Sequence, residues 1–233
     1  MGLSRKNIWD KLPSTVKLAA GNVLSILPLR YVLGKRFRSN IRFVRNAQWW
    51  SIEQSREYQL KQLRRICNIA YSKTAYYRRT FDAIGFKPQD LESPEDISAL
   101  PTIDRQTIVD NLDDMCALSP NSPRVDFGST GGSGGKPLYF YMPAKRSYIE
   151  YAYLVASWER VGYHLGMPMA VLRGRIVKPN RSGLYHEYDP LLRHHYYSNF
   201  HMNDDNMRRY IEHIAGIGPC FLHAYPSSAS TLA

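Results

Sequence analysis

Gly128-Ser129-Thr130-Gly131-Gly132-Ser133-Gly134-Gly135-Lys136-Pro137 is the stretch on which the reading of this chain turns. Five of the ten residues are glycine. They tolerate positive φ and leave the backbone uncovered, so successive N–H groups can converge on an anion. Thr130 and Ser133 add hydroxyl donors, and Lys136 adds a cation able to follow the charge of a polyphosphate. A plain Gly/Ser connector is the competing explanation of the same composition. The loop is not a Walker P-loop: Thr130 stands where that pattern needs its first Gly, and Pro137 where it needs Ser or Thr after the Lys. Residues 125–127 enter the loop as a short apolar stretch and residues 138–142 leave it as a strand. The loop should therefore join two strands, with no helix dipole aimed at the phosphates.

Outward from the loop, the second half of the chain alternates strand and helix signals. A helix is expected over residues 147–161, with short strands at 169–172, 176–177 and 196–200. Asn203 should cap a helix that buries Met207, Tyr210, Ile211 and Ile214 and stops at Gly216. A buried strand follows at 220–225, and Ser227 or Ser228 begins a last helix with barely a turn before Ala233, so the chain looks cut rather than finished. Alternation of this kind argues for an α/β layered domain. Before the loop, residues 51–81 carry a helical pattern. Ser51 and Gln54 form a capping-box pair, and Leu60, Leu63, Ile66, Cys67 and Ala70 form an apolar stripe. Ser93-Pro94 starts a further helical piece, and a short helix is expected at 105–112. The organisation expected is a basic, mostly helical segment over residues 1–80 and a partial α/β domain over 81–233.

The net charge of +11 is concentrated: 17 Lys+Arg face 3 acids through Thr80, whereas the remainder holds 14 basic and 17 acidic residues. A basic segment on a near-neutral body suits either a solvated helical face or an anionic membrane surface. No nucleic-acid-binding signature accompanies it, and nucleic acid is not the expected partner. Residues 18–29 are too short and interrupted to span a bilayer, and no cleavage site or myristoylation pattern appears. Cys67, Cys116 and Cys220 lie far apart with no CxxC pair, as expected for reduced thiols in a cytoplasmic protein, free or peripheral at the inner membrane face. His186, His194, His195 and His201 fall in a tyrosine-rich stretch without HExxH or His-x-His spacing, so packing or surface roles are expected and no metal site. No GxSxG elbow is present, which disfavours a hydrolase.

Residues 130–137 resemble the phosphate-binding signature [ST]-[ST]-G-[ST]-[ST]-G-K-P of adenylate-forming enzymes. Thr130, Gly132, Ser133, Gly135, Lys136 and Pro137 match, while Gly131 and Gly134 stand where hydroxyl residues are usual. Tyr76-Tyr77-Arg78, Leu100-Pro101-Thr102-Ile103-Asp104-Arg105, Leu172-Arg173-Gly174 and Tyr225-Pro226-Ser227-Ser228 are similar, in order and spacing, to segments of the phenylacetate–CoA ligase/CapK-like branch. The resemblance implies an N-terminal portion of the large domain of an ATP-dependent ligase. Such an enzyme forms an acyl-adenylate from a small-molecule carboxylate with MgATP, then a thioester with coenzyme A, in capsule or cell-surface polysaccharide biosynthesis. It assigns the ATP phosphates to Thr130, Gly131, Gly132, Ser133, Gly134, Gly135 and Lys136. It also sets His201 where relatives place an aromatic residue or histidine against the acyl pocket, an ordinary strand-end histidine being the alternative. The family's adenine and ribose motifs and catalytic lysine have no counterpart in the sequence, so the chain is expected to be inactive alone and a second polypeptide could carry them. Rival readings are a non-catalytic remnant and a polyanion- or membrane-binding module.

Overall fold

The computed structural model describes residues 12–24, 27–130 and 137–233. The described residues form two compact units, one within residues 43–147 and the other within residues 12–42 and 148–233. No helix among the described residues is long and apolar enough to cross a membrane.

Nine helices α1–α9 and six strands are described. In order these are α1 (Ser14–Leu24), α2 (Leu29–Val32), α3 (Gly34–Ala47), α4 (Ile52–Lys73), α5 (Ala75–Ala83), α6 (Arg105–Asp110), β1 (Val125–Ser129), β2 (Tyr139–Pro143), α7 (Ser147–Glu159), β3 (Met169–Leu172), β4 (His186–Asp189), β5 (His194–Tyr197), α8 (Asp204–Ile217), β6 (Phe221–Ala224) and α9 (Pro226–Leu232).

In the unit of residues 43–147, α4 begins at the expected capping box: the Gln54 N–H donates to Ser51 Oγ, and the Ser51 N–H donates to Gln54 Oε1. The helical pattern of residues 51–81 is broken at Thr74, whose extended backbone ends α4 and caps α5. Its hydroxyl donates to the Ala70 carbonyl and accepts from the Tyr77 N–H, so one side chain serves both helix ends. Leu60, Leu63, Cys67 and Ala70 pack with Phe81 and Leu91, as the stripe requires. Ile66 does not join them and is 59% exposed. The Arg64 guanidinium ties this helix to the chain beyond it by donating to the Leu91 carbonyl at 2.8 Å. Ser93 and Asp96 cap a 3-10 turn, Pro94–Ala99, and the Asp104 carboxylate caps α6.

The second unit is a layered α/β structure around a four-stranded sheet of order β4-β5-β3-β6. Strands β5, β3 and β6 are parallel, and β4 closes one edge antiparallel to β5. All four residues of β3 are buried, which explains its unbroken apolar run as the inner strand of a sheet covered on both faces. Alternation divides its side chains. Ala170 and Leu172 face a core with Tyr197, Tyr210, Ile214 and Leu232, covered by α8 and α9. Met169 and Val171 face Tyr163, Tyr196, Phe221 and Trp158 of α7. Phe37 and Ile41 of α3 pack against Ala152 and Val155 on α7. At the β4 edge, buried Lys17 of α1 meets Glu187 at 3.1 Å, and Arg175 grips both oxygens of the same carboxylate.

Three sequence expectations in this unit are corrected. Residues 176–177 form no strand: Val177 is buried but Ile176 is 81% exposed, and the backbone there is irregular. Helix α8 runs through Gly216 and stops at Gly218, whose φ of 82° with ψ of −159° is a backbone conformation open essentially to glycine. Ile211 lies on its exposed side, leaving Tyr210 as its buried anchor.

Candidate functional site

Strands β1 and β2 form an antiparallel hairpin in register from Val125↔Pro143 to Ser129↔Tyr139. Just past the ladder, the Thr130 N–H donates to the Leu138 carbonyl at 2.9 Å, and the Leu138 N–H donates back to Thr130 Oγ1 at 3.0 Å. The loop thus leaves and re-enters the hairpin at adjacent points, and the Thr130 hydroxyl closes its neck. That hydroxyl, spent as an acceptor, still holds a proton to donate. Gly131, Gly132, Ser133, Gly134, Gly135 and Lys136 lie outside the described residues. Below the neck, Phe127 and Tyr139 stack at 5.3 Å with an interplanar angle of 3°, both substantially exposed. Arg146 and Asp126 pair across the hairpin at 3.2 Å.

In the other unit, the parallel strands bring separate sequence motifs to one edge. Leu172 pairs with Ala224, so Arg173-Gly174 after β3 and Tyr225-Pro226 after β6 leave the sheet side by side. Arg173 lies over the Tyr225 ring at 5.0 Å and donates to His223 Nε2 at 2.9 Å. Gly174 has φ of 39°, and a side chain there would meet the Tyr225 hydroxyl. Strand β5 ends at the same edge and leads into Ser198-Asn199-Phe200-His201. His201 is exposed; its Nδ1 lies 2.8 Å from Ser198 Oγ and its ring stacks on Tyr185 at 4.0 Å. Ser198 is fully buried, and its carbonyl accepts from the Tyr210 hydroxyl at 3.2 Å. Asn199 Oδ1 is buried with no hydrogen-bond partner among the described residues, an acceptor awaiting a donor.

Sequence spacing gave no reason to group His186, His195 and His213, yet one ring nitrogen of each lies within 4.8 Å of the others. His186 is on β4, His195 on β5 and His213 on α8. Burial, then the neighbouring imidazoles, pushes His186 down to about 4, and burial and His213 do the same to His195. His213 is lowered by burial as well. All three are neutral at neutral pH.

His223 gives this edge a pH dependence. Burial, followed by the Arg173 charge, depresses its pKa from 6.5 to about 4, so the imidazole stays neutral and accepts from Arg173. Nearby His194 is lowered to about 4 by burial first and His223 second. Between these values and 6.5 the unfolded chain binds more protons than the folded one, so stability falls as pH falls through that window. The thermal midpoint should be level from pH 8 to about 6.5 and drop steadily toward pH 4, with a shallower drop in His223→Gln. Midpoints measured across that range decide it; an unchanged midpoint at pH 4.5 would contradict it.

No protein-family profile matches the chain. Among curated proteins it is similar to protein CapK of Staphylococcus aureus, 29% identical over 131 residues that cover 55% of this chain and 29% of CapK. It is also similar to the phenylacetate-coenzyme A ligase of Pseudomonas putida, 30% identical over 87 residues that cover 37% of this chain and 20% of the ligase. The matched part therefore spans less than a third of either relative. Among solved structures, 2-hydroxyisobutyryl-CoA ligase in complex with 2-HIB-AMP and CoA superimposes with a TM-score of 0.52 at 18% identity, covering 78% of this chain and 39% of that one. The α/β fold is thus shared with part of that ligase. Over these partial spans the chain is similar in sequence to protein CapK and to phenylacetate-coenzyme A ligase, and similar in fold to a third protein, a CoA ligase.

Proposed function

We propose that the chain supplies the phosphate-binding hairpin and the acyl-facing sheet edge of an ATP-dependent carboxylate–CoA ligase, serving capsule or cell-surface polysaccharide synthesis. The observation that carries this reading is that Arg173-Gly174, Ser198–His201 and Tyr225-Pro226 all leave the carboxyl ends of adjacent parallel strands. Open α/β sheets bind their ligands at that edge. Asn199 Oδ1 offers an unused acceptor there, and His201 is held in place by Ser198 and Tyr185.

The hairpin fits ATP phosphates. Its neck is closed by Thr130 and Leu138, and the sequence between them offers four glycines and one lysine, suited to a backbone N–H cradle. Mg2+ would arrive with the nucleotide, held largely by phosphate oxygens and water. In the reaction a carboxylate oxygen attacks the α-phosphorus and expels pyrophosphate. The thiol of coenzyme A then attacks the acyl carbonyl and releases AMP. Backbone donors on the β and γ phosphates stabilise the charge that builds on departing pyrophosphate.

The sequence has no counterpart of the family's adenine, ribose and catalytic-lysine motifs, so this chain alone should bind polyphosphate without turnover. Equilibrium dialysis should show MgATP or pyrophosphate binding that Lys136→Ala weakens. ATP–pyrophosphate exchange with a panel of aryl and aliphatic acids should stay at background until a polypeptide carrying the missing motifs is added. Exchange by the chain alone would refute the division of labour, and wild-type phosphate binding in Lys136→Ala would refute the loop assignment.

A further inference from the structure

We propose that His186, His195 and His213 form a transition-metal site that takes Zn2+ through three imidazole nitrogens and leaves a fourth position open. The site lies on the α8-covered face of the sheet and stands independently of the carboxylate-activation reading.

The fold aims these side chains together. Tyr197 of β5 pairs with His186, and Tyr188 pairs with His195, so the two histidines are diagonal neighbours on one face of the β4–β5 ladder. His195 shares its face with Ala170 and Tyr197, the face on which α8 packs. Helix α8 adds His213, one turn beyond its buried anchor Tyr210. His186 Nε2 and His195 Nδ1 are 3.1 Å apart. Nitrogens bound at about 2.0–2.1 Å around a tetrahedral ion sit roughly 3.3 Å from each other, so this pair already has the spacing of two ligands. The His186 and His213 ring centroids are 4.3 Å apart, which brings the third ring alongside.

An outer partner is also in place. The Tyr197 hydroxyl lies 2.7 Å from His213 Nδ1, which orients the ring and leaves Nε2 as the nitrogen for an ion. Histidine ligands usually have their second nitrogen held in this way. Tyr197 itself is fully buried, and burial pushes its phenol up, so it remains a neutral hydrogen-bonding group rather than a competing ligand.

The donor set chooses the metal. Three neutral imidazoles without a carboxylate suit Zn2+, Co2+, Ni2+ or Cu2+ and give Mg2+ and Ca2+ nothing they prefer. An ion there would cross-link the edge strand β4 to β5 and α8. It would also brace Tyr185, the residue before His186, on which His201 stacks. Binding to the folded state alone would raise stability as the ion concentration exceeds its dissociation constant.

The test uses the full chain, free of any purification tag and stripped with chelator. Titration with Zn2+ against a chromophoric chelator should show one equivalent bound and a raised thermal midpoint, with no such rise for Mg2+. Co2+ should give the visible absorption of a four- or five-coordinate site. His195→Gln or His213→Gln should weaken Zn2+ at least about 100-fold, and Tyr197→Phe about 10-fold, the scale of losing an outer partner. His201→Gln should bind as wild type. Absence of stoichiometric Zn2+ binding by the wild-type chain, or wild-type affinity in both glutamine variants, would overturn the proposal. Should those variants fail to fold, protection decides: Zn2+ should block diethyl pyrocarbonate labelling of His186, His195 and His213 in the wild type, and unchanged labelling would overturn it.

Discussion

Gly132→Val and Gly135→Val should each reduce acyl-adenylate formation by more than the loss of any single side-chain donor, in an assembly that supplies the motifs absent from this chain. Removing one important donor to a developing charge costs about 2–4 kcal/mol in transition-state stabilisation, and Lys136→Ala belongs on that scale. A valine does more harm. Its branched Cβ resists positive φ, and in a loop that cradles phosphate as proposed it would stand between the backbone N–H groups and the phosphate oxygens. Gly134 stands where the signature that the loop resembles has a hydroxyl, so under the proposed function the backbone would bear more of the binding than side chains do. Folding should survive. The neck of the loop is held by Thr130 and Leu138 and the ladder below it by five residue pairs, none of which involves the substituted glycines. Acyl-adenylate formation and far-ultraviolet circular dichroism of each variant give the answer. Wild-type kinetics in both glycine variants would reduce the loop to a connection between strands.

The parts of the fold that sequence reveals are those in which one local interaction dominates. Ser51 and Gln54 announce the start of α4 because both halves of the capping box lie within one turn. Met169–Leu172 reads as a short strand, and its place inside the sheet accounts for the apolar run, because burial on both faces demands apolar residues throughout. The hairpin around the glycine loop is legible because apolar stretches flank it on both sides. Strand β4 is not legible. His-Glu-Tyr-Asp has no apolar alternation, since each residue is half-buried by a specific partner: His186 by His195 and His213, Glu187 by Lys17 and Arg175. The break at Thr74 is hidden for a similar reason, because the helical stripe continues across it while a single hydroxyl redirects the backbone.

The candidate site divides the same way. Arg173-Gly174, Ser198–His201 and Tyr225-Pro226 are visible as separate stretches, but only parallel pairing shows that they share an edge. His213 carried no signal. It sits on an amphipathic helix, and its relation to His186 and His195 depends on how α8 lies across the sheet. Residues from three elements, spaced nine and eighteen apart in sequence, match no short ligand pattern.

Tyr210→Ala should destabilise the sheet unit by about 3–5 kcal/mol, the range for truncating a fully buried aromatic side chain. Tyr210 has no exposed surface and packs with Ala170, Leu172, Leu184 and Tyr197, its ring 5.1 Å from that of Tyr197. A loss of this size is a large fraction of the stability of a typical domain. Tyr210→Phe separates packing from hydrogen bonding. It keeps the ring but leaves the Ser198 carbonyl without the hydroxyl that now donates to it, at a cost of about 1–2 kcal/mol. That smaller loss falls on the turn bearing Asn199 and His201, so hydrogen exchange should quicken at residues 198–201 while β3 stays protected. In Tyr210→Ala, β3, β5 and α8 should lose protection together. Alkali gives an independent check, because burial raises the Tyr210 phenol from 10 to about 12. Between those values the unfolded chain gives up its proton first, so the stabilisation present below pH 10 is lost as pH rises toward 12, and Tyr210→Phe should lose part of that dependence. Urea unfolding followed by peptide-resolved hydrogen exchange separates the outcomes. Protection in Tyr210→Ala equal to wild type would show that α8 does not depend on this ring for its place against the sheet.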